Sequence, residues 1–350
     1  MNIIKQIDRL IFLKTIIGQE QIDDSTIYCL KYNSMSQKKI ITVFGATGAQ
    51  GGGLVRAILH DKNSEFAVRA VTRDPDSEHA TNLAAMGAEV VVADIDNAED
   101  VQKVMNGAYG AFCVTFFWAH FSPEKEMAEA KIMAEAAKNA GLKHVIWSTL
   151  EDTRHYIPLT DNRMPTLQGN YKVPHFDAKG QSDQYFIDAG VPTTFLLASF
   201  YWENMIYFGA GPKRGEDGVL AITFPMGDKK LSGIGSADIG KCAYGIFKRG
   251  AEFIGKRIGI AGDEPTCSQM AASLTKALGE EVRYNSVSPD LYRSFGFPGA
   301  DELGNMFQFY HDFEEVCVST RHVPYSRQLD PALQDFDTWL KHNAKKIPLD

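Results

Sequence analysis

The sequence predicts an α/β fold, in which a doubly wound parallel sheet is followed by a smaller α+β region toward the C-terminus. Three features favour this fold. From residue 38 onward, short apolar runs alternate with helical patterns, which is typical of a parallel sheet with helices on both faces. The first apolar run ends in a glycine-rich turn that leads into a helix. Beyond about residue 205 the alternation loosens, which marks the second region.

The composition limits the classes of function. A chain of 350 residues suits one large α/β unit or two closely joined domains. Its net charge of −8 argues against direct nucleic-acid binding, which requires a basic excess. The sequence has no apolar run of about 18 residues, so it predicts no membrane span. The five scattered cysteines indicate a reducing compartment and predict neither disulfides nor a metal site, so we expect a cytoplasmic protein, with the nucleus as a second location.

Residues 1–37 precede the first predicted strand and lie outside the alternation. They contain too many acids for a transit peptide and no apolar core long enough for a signal peptide. Met35 stands just before the strand, where a natural start would fall. We therefore expect residues 1–37 to be a poorly ordered extension that the working protein does not require.

The glycine-rich turn predicts a nucleotide site. After the strand 40–43 come Gly45, Gly48 and Gly51, in the spacing G-x-x-G-x-x-G. Gly45 permits the tight turn, Gly48 lets the backbone approach a pyrophosphate, and Gly51 lets the helix pack near the strand. The positive N-terminus of that helix then holds the phosphates. Glycine turns alone are common, but the strand before, the helix after and a second strand at 67–72 favour a Rossmann-type dinucleotide site.

The elements that follow extend the same pattern to a sixth strand. Pro123 suits the first turn of a helix, and Gly141 suits its end. Because the carboxyl ends of parallel strands meet at one edge of the sheet, the residues that follow them should cluster there. Predicted strands are 40–43, 68–72, 89–93, 110–115, 144–149 and 193–197, and predicted helices are 77–86, 98–105, 123–140 and 175–188. The residues expected at the edge are Gly45, Arg73, Asp94, Thr115 and Thr149.

The alternation divides the chain into two predicted regions. Residues 38–205 should form the nucleotide-binding domain, and residues 206–350 a smaller substrate or partner region that closes over the cleft. A helix and a strand at about 236–262 should return to the first domain. The loop 150–174 is either functional or only an irregular surface, and the glycine-rich stretch 209–230 predicts a hairpin or an excursion. Further helices are predicted at about 236–248, 266–278, 299–313 and 331–343, and strands at 257–260 and 282–287.

The end of the second strand indicates which dinucleotide binds. An acid there would bind the ribose 2′-hydroxyl of NAD, whereas an arginine accepts the 2′-phosphate of NADP. Arg73 holds this position and favours NADP(H), although a solvated arginine is the alternative. Asp74 would serve NAD if the turn shifted by one residue. Asp94, at the end of the third strand, is a candidate contact for the adenine.

The sequence leaves catalysis open. Dehydrogenases of this fold place a tyrosine and a lysine four residues apart on one helix face, where the ammonium lowers the phenol pKa. The matching helix has Lys179 but His175 in place of the tyrosine. His175 could act on the proton because its pKa lies near neutrality, or it could be an ordinary polar residue at a helix start. Ser148 or Thr149 could bond a substrate oxygen. We therefore predict Lys179 chiefly as a cofactor ligand, and His175 as a second catalytic candidate.

Several longer motifs carry a family resemblance over roughly residues 38 to 345. The chain resembles the NmrA-like family, a branch of atypical short-chain dehydrogenases, and within it the animal redox-sensor proteins. The late motifs are more specific than the glycine turn. The motifs are GATGAQGG from Gly45, Val71-Thr72-Arg73, His175-Phe176-Asp177-x-Lys179-Gly180, Tyr201-Trp202-Glu203-Asn204, FPGA from Phe297, and Asn305-Met306-Phe307-Gln308-Phe309-Tyr310.

The resemblance implies NADP(H) binding, a smaller C-terminal domain, and a sensor of the NADPH/NADP ratio that binds regulatory proteins. It places the turn at the pyrophosphate, Arg73 at the 2′-phosphate, the third strand near adenine, the fourth beside nicotinamide, and Lys179 at the ribose. Phe116 and Phe117 depart from the more polar pair expected there, which favours backbone contacts. The implied cofactor residues are Gly45, Ala46, Thr47, Gly48, Ala49, Gln50, Gly51, Arg73, Asp94, Ile95, Thr115, Phe116, Phe117, Lys179, Tyr201, Trp202, Glu203 and Asn204.

Two functions fit these predictions. The first is an NADP(H) sensor in which the cofactor shifts the population of two arrangements, with movement expected in 150–174 and 201–230. A regulatory protein partner and a homodimer are the associations we consider. The second is an NADPH-dependent reductase of quinones, aldehydes or phenylpropanoid-like substrates. Aromatic residues at the strand ends could wall its pocket or serve only as core. They are Phe116, Phe117, Trp118, Phe200, Tyr201 and Trp202.

Overall fold

The structure, a computed structural model, describes residues 38–349, so the predicted extension 1–37 lies outside the described residues. The strands are β1 Lys39–Val43, β2 Phe66–Thr72, β3 Glu89–Val92, β4 Gly110–Cys113, β5 His144–Thr149, β6 Thr193–Leu197, β7 Phe200–Tyr201, β8 Lys213–Arg214, β9 Leu220–Phe224, β10 Gly233–Ile234, β11 Arg257–Gly259 and β12 Val282–Ser286. The helices are α1 Ala49–His60, α2 Glu78–Ala85, α3 Ala98–Met105, α4 Pro123–Asn139, α5 Pro174–Asp188, α6 Asn204–Tyr207, α7 Ser236–Arg249, α8 Cys267–Leu278, α9 Pro289–Arg293, α10 Ala300–Asp312, α11 Glu314–Thr320, α12 Val323–Leu329 and α13 Phe336–Asn343.

Seven strands form one parallel sheet in the order β11-β6-β5-β4-β1-β2-β3. The chain order reverses between β1 and β4, which pair in register from Ile41 with Gly110 to Val43 with Phe112. In open α/β sheets this reversal opens a crevice at the carboxyl ends of the strands, where ligands bind. The predicted α/β fold class is confirmed, and the reversal fixes where the site lies.

Helices cover both faces of the sheet. On one face α1 and α7 bury a cluster that includes Leu54 and Ile239 against β1, β2 and β6. On the other face α3, α4 and α5 bury a second cluster, which includes Met133, Trp147 and Phe186. The central strands β4, β5 and β6 therefore contribute alternate side chains to two apolar layers, as expected for a doubly wound sheet.

The later part of the chain has a third apolar cluster, built around Trp202, Phe307 and Trp339. Within it β9 pairs antiparallel with β8 and parallel with β12, while β7 pairs with β10. The strand β11 does not join these strands but extends the large sheet beside β6. Contacts unite the described chain from Lys39 onward into one compact unit, and the domain boundary near residue 205 stays a prediction.

The last predicted helix begins later than expected. Its pattern predicted a start at 331, but α13 begins at Phe336, because the Asp335 side chain accepts a hydrogen bond from the Thr338 N–H and caps the helix there. No helix within residues 38–349 is long and apolar enough to cross a membrane.

Candidate functional site

The turn between β1 and α1 has a backbone that only glycine tolerates. Gly45 adopts φ +61°, in the left-handed region, and its carbonyl accepts a 2.9 Å bond from the Gly48 N–H. A Cβ on Gly51 would overlap the carbonyl groups of Gly45 and Phe44. Gly48 is the N-cap of α1, and no side chain caps this end of the helix. The first N–H groups of α1 therefore remain available to an anion at the sheet edge.

The charged residues that follow β2 and β3 differ in whether their side chains have hydrogen-bond partners. The Arg73 side chain is exposed, and it makes no hydrogen bond or ion pair with any residue from 38 to 349. The neighbouring Asp74 carboxylate accepts a 3.1 Å bond from the Asp76 N–H. Asp94 is exposed and bonds the Asp96 N–H in the same way. Of these side chains, the arginine is the one left without a local partner.

Lys179 lies in a buried polar cluster at the end of β4. Its Nζ donates to Thr115 Oγ1 at 2.7 Å and to the Thr115 carbonyl at 3.3 Å, and it lies 2.7 Å from Glu126 Oε1. Thr115 Oγ1 also donates to that same Glu126 oxygen, at 2.6 Å. The ammonium lies 5.2 Å from the centroid of the Trp147 ring. The structure thus joins two of the predicted site residues, Thr115 and Lys179, through a carboxylate that the sequence analysis missed.

Glu126 is fully buried and lies within ion-pair distance of Lys179. Burial raises the pKa of this carboxyl, but the attraction of Lys179, the nearby His120 ring and the hydrogen bonds from Lys179 and Thr115 outweigh burial and lower the pKa to about 2. Its position in the first turn of α4 is typical of an acid that simply favours a helix N-terminus, which is why the sequence alone gave no reason to place it in the site.

His175 lies one helical turn before Lys179 in α5, and it bonds a different residue, Glu302. Glu302 Oε1 lies 2.6 Å from His175 Nδ1 and accepts a second 2.6 Å bond from the His175 backbone N–H. The imidazole centroid lies 4.9 Å from that of Trp118 and 5.8 Å from that of Phe117. The Nε2 atom has no hydrogen-bond partner among the described residues. Glu302 was also missed, because it lies 127 residues away in the sequence.

Gln50 connects the glycine turn with two other segments. Its Nε2 donates to the Tyr201 hydroxyl at 2.5 Å, and its Oε1 accepts a 2.8 Å bond from Ser148 Oγ. Burial raises the pKa of Tyr201 well above its usual range, so the phenol stays neutral. A residue of the predicted phosphate turn therefore contacts the segment that leads into the later part of the chain.

The other predicted contacts are placed differently. Phe116 is 55% exposed at the end of β4, whereas Phe117 is buried against His175. The Trp202 side chain is fully buried against Phe336 and Trp339, so it presents no surface to a cofactor in this structure. Glu203 faces the same core and accepts bonds from the Ser236 N–H and Trp339 Nε1. Asn204 begins α6, and Ile95 packs on the apolar layer beneath β3.

Comparison with known proteins agrees with this architecture. The NmrA-like oxidoreductase FrzB of a Cladobotryum species is 28% identical over 291 residues, which cover 77% of this chain and 83% of FrzB. The structure of NmrA, a negative transcriptional regulator, in complex with NADP superposes with a TM-score of 0.71 and 24% identity over 89% of this chain and 96% of that one.

A second solved structure has a different function. The Citrobacter sp. triphenylmethane reductase, complexed with NADP(H), superposes with a TM-score of 0.67 and 19% identity over 87% of this chain and 99% of that one. At these identities the two structures support the fold. Residues 37–340 match the family model itself, and the chain therefore belongs to the NmrA-like family, as its motifs predict.

Proposed function

We propose that this protein binds NADP(H) and senses its redox state, so that the bound dinucleotide changes the conformation and thereby the binding of a regulatory protein. The observation that carries the proposal is the bond from Gln50, in the glycine turn, to Tyr201, at the start of the later region. The regulatory partner, a homodimer and a cytoplasmic location belong to the same proposal.

Binding follows from the geometry of the sheet edge. The uncapped N-terminus of α1 offers N–H groups to a pyrophosphate, and the unpaired Arg73 can accept a 2′-phosphate. Asp74 accepts the Asp76 N–H through Oδ1 alone, so its other oxygen could still serve a ribose hydroxyl. The solved complexes of NmrA and of triphenylmethane reductase contain NADP or NADP(H) at the same fold. NmrA was also solved with NAD, so NADH is the necessary comparison.

The contacts of the glycine turn support the proposed sensing. A dinucleotide at Gly48 to Gln50 meets a side chain that already bonds Tyr201 and Ser148. If the ligand replaces or strengthens either bond, it favours one arrangement of the 201–207 segment over another. At saturation the ratio of the two arrangements then changes by the ratio of the ligand's affinities for them.

The test is a titration with NADPH, NADP⁺ and NADH, followed by tryptophan fluorescence and sedimentation. We expect Arg73→Ala to weaken NADPH binding about 10- to 100-fold, the usual loss for a hydrogen bond to a charged group, and to leave NADH unchanged. Arg283→Ala, an exposed arginine on β12, is the matched control. An equal loss for NADH would refute the assignment of Arg73 to the 2′-phosphate.

Sensing is tested by Tyr201→Phe, which removes only the hydroxyl bonded to Gln50. We expect this variant to bind NADPH but to show less cofactor-dependent change in sedimentation and protease sensitivity than the wild type. If wild-type protein binds NADPH without any change in shape or assembly, the sensor proposal fails and cofactor binding stands.

A second candidate function is an NADPH-dependent reductase, and His175 favours it. Its Nδ1 is held by Glu302, while Nε2 remains unbonded beside the aromatic rings of Phe117 and Trp118. When both ring nitrogens carry a proton, the imidazolium can give the Nε2 proton to a substrate oxygen as hydride passes from NADPH to the adjacent carbon. The neutral ring that remains keeps its Nδ1–H bond to Glu302, which holds the imidazole in orientation. FrzB is named an oxidoreductase, which agrees with this candidate.

Steady-state oxidation of NADPH with quinones and aldehydes tests the second candidate. His175→Phe keeps an aromatic ring but removes the proton, so kcat should fall about 100-fold or more while the Kd of NADPH stays within a factor of two. Absence of turnover by the wild type across these acceptors would reject the reductase.

A further inference from the structure

A buried cluster of one histidine and two acids adjoins Lys179. It consists of His120, before α4, and of Glu126 and Glu129 in α4. His120 Nε2 lies 3.5 Å from Glu126 Oε2 and 3.8 Å from Glu129 Oε1, which is too far for ordinary hydrogen bonds. His120 Nε2, Glu126 Oε2 and Glu129 Oε2 are buried without a hydrogen-bond partner in the described chain. Buried polar atoms without partners are uncommon and require a physical explanation.

The tautomer of His120 indicates what fills this cluster. The Ser122 N–H donates to His120 Nδ1 at 3.0 Å, so Nδ1 is unprotonated and a neutral ring has its proton on Nε2. The imidazole therefore presents a donor to the two carboxyl groups. Ligand atoms of the three residues lie within 4.8 Å of one another, but a metal ion would require the Nε2 lone pair. This arrangement disfavours a cation and suits a water or a protonated carboxyl.

Glu129 is the carboxyl that takes such a proton. Glu126 is compensated by Lys179, whereas Glu129 lies 4.0 Å from Lys125, and Lys125 pairs more closely with Asp96 at 2.6 Å. Burial and the neighbouring Glu126 charge raise the pKa of Glu129 to about 7, against weaker opposition from His120 and Lys125. Asp96, from the loop before α3, raises this pKa further. Near neutral pH the carboxyl is therefore close to half-titrated.

The Lys179 ammonium has no donor to spare for a ligand. It has three N–H groups, and its three acceptors are the hydroxyl and carbonyl of Thr115 and the Glu126 carboxylate. A cofactor that accepts a bond from Lys179 must replace one of these, and its phosphates bring additional negative charge. Loss of the Glu126 contact, or the added phosphate charge, disfavours a second negative charge beside Glu126.

We propose that NADP(H) binding at Lys179 is coupled to proton uptake from solvent by the Glu129 carboxylate. This carboxyl thereby sets how the affinity for the cofactor depends on pH, through Glu126 and without touching the ligand. The proposal rests on the NADP(H) binding proposed above. For an upward shift of one pKa unit on binding, affinity should be about fivefold greater at pH 6 than at pH 8.

Calorimetry at pH 7 in buffers of different ionisation enthalpy measures the proton uptake directly. We compare wild type with Glu129→Gln, which keeps the shape of the side chain, and with Glu135→Gln, an exposed acid of the same helix, as control. NAD⁺ and NADP⁺ are titrated separately, because the 2′-phosphate itself exchanges protons. We expect a fraction of a proton to be taken up by wild type and Glu135→Gln, and this fraction to be lost in Glu129→Gln.

Each other outcome overturns the inference. Equal proton uptake in wild type and Glu129→Gln refutes it while cofactor binding stands. Failure of the wild type to bind either dinucleotide refutes both this inference and the proposed function. Stoichiometric binding of Zn²⁺ or Mn²⁺ that is lost in Glu129→Gln would instead identify the cluster as a metal site.

Discussion

A single buried carboxyl, Glu129, should give the free protein a pH-dependent stability. Its pKa is about 7 in the folded chain and 4.5 ordinarily, so between these values the folded state binds more protons than the unfolded state. The free energy of unfolding is therefore greatest below pH 4.5, as far as this group is concerned, and falls as pH rises toward 7. The full loss is roughly 3 kcal/mol.

Urea unfolding of wild type and Glu129→Gln at pH 5, 6, 7 and 8 measures this effect. In Glu129→Gln the free energy of unfolding should fall less steeply as pH rises, and this variant should be more stable than the wild type at pH 8. Glu135→Gln, whose side chain is 61% exposed, should retain the wild-type slope. Parallel slopes for all three proteins would contradict the assignment of a buried, half-titrated carboxyl.

The roles of residues in a local motif could be predicted from the sequence, but their contacts with residues far along the chain could not. Gly45 and Gly51 are demanded by a local turn, so their backbone roles follow from the sequence around them. Glu302 reaches His175 only because α10 packs beside α5, and no local pattern encodes that contact. Trp202 shows a second limit of sequence patterns. It follows Tyr201 in the chain, but the sequence does not indicate that its side chain is buried in the apolar cluster instead of facing the cofactor site.

The helices α1 and α7 cross at glycines, and this crossing positions the phosphate turn. A Cβ on Gly53 would overlap the backbone carbonyl of Ala237, and one on Gly240 would overlap the Leu54 nitrogen. Gly53→Ala should therefore destabilise the protein by about 1–3 kcal/mol, although alanine is the better helix former. Thermal and urea unfolding measure the change.

Gly52→Ala is the matched control in the same helix. Its Cβ would lie 3.0 Å from the flexible end of Arg56 and 3.2 Å from the Ala46 carbonyl oxygen, so it requires a smaller adjustment. We expect Gly52→Ala to cost less than Gly53→Ala. If Gly53→Ala were as stable as the wild type, close backbone packing would not be what fixes α1.

Long elements were predictable because they are periodic, and short ones were not. The parallel strands of the large sheet are apolar runs separated by helices, which identifies them without tertiary information. The two-residue strands β7, β8 and β10 have no measurable period and exist only through their pairing partners. The same holds for the pairing of β12 with β9, since it joins segments about 60 residues apart.

A buried ion pair between Arg321 and Glu151 connects the ends of β5 and β6 with the C-terminal helices. We expect the stability of the protein to depend on this pair. Arg321, after α11, is fully buried and binds both oxygens of Glu151, at 2.5 and 2.8 Å, while its Nε donates to the Ala198 carbonyl. Ala198 directly follows β6, and Glu151 is the second residue after β5. Burial opposes ionisation of Glu151, but the Arg321 charge outweighs burial and lowers its pKa.

Removing one partner should cost far more than removing both. Arg321→Met leaves a buried carboxylate unpaired, so we expect a loss of about 3–5 kcal/mol in urea unfolding. The double variant Glu151→Leu/Arg321→Met should recover most of this loss, because no charge then remains buried. Arg283→Met, which breaks exposed pairs with Asp217 and Glu281, should change stability by about 1 kcal/mol or less. If Arg321→Met costs no more than this control, the pair does not hold the two parts of the chain together.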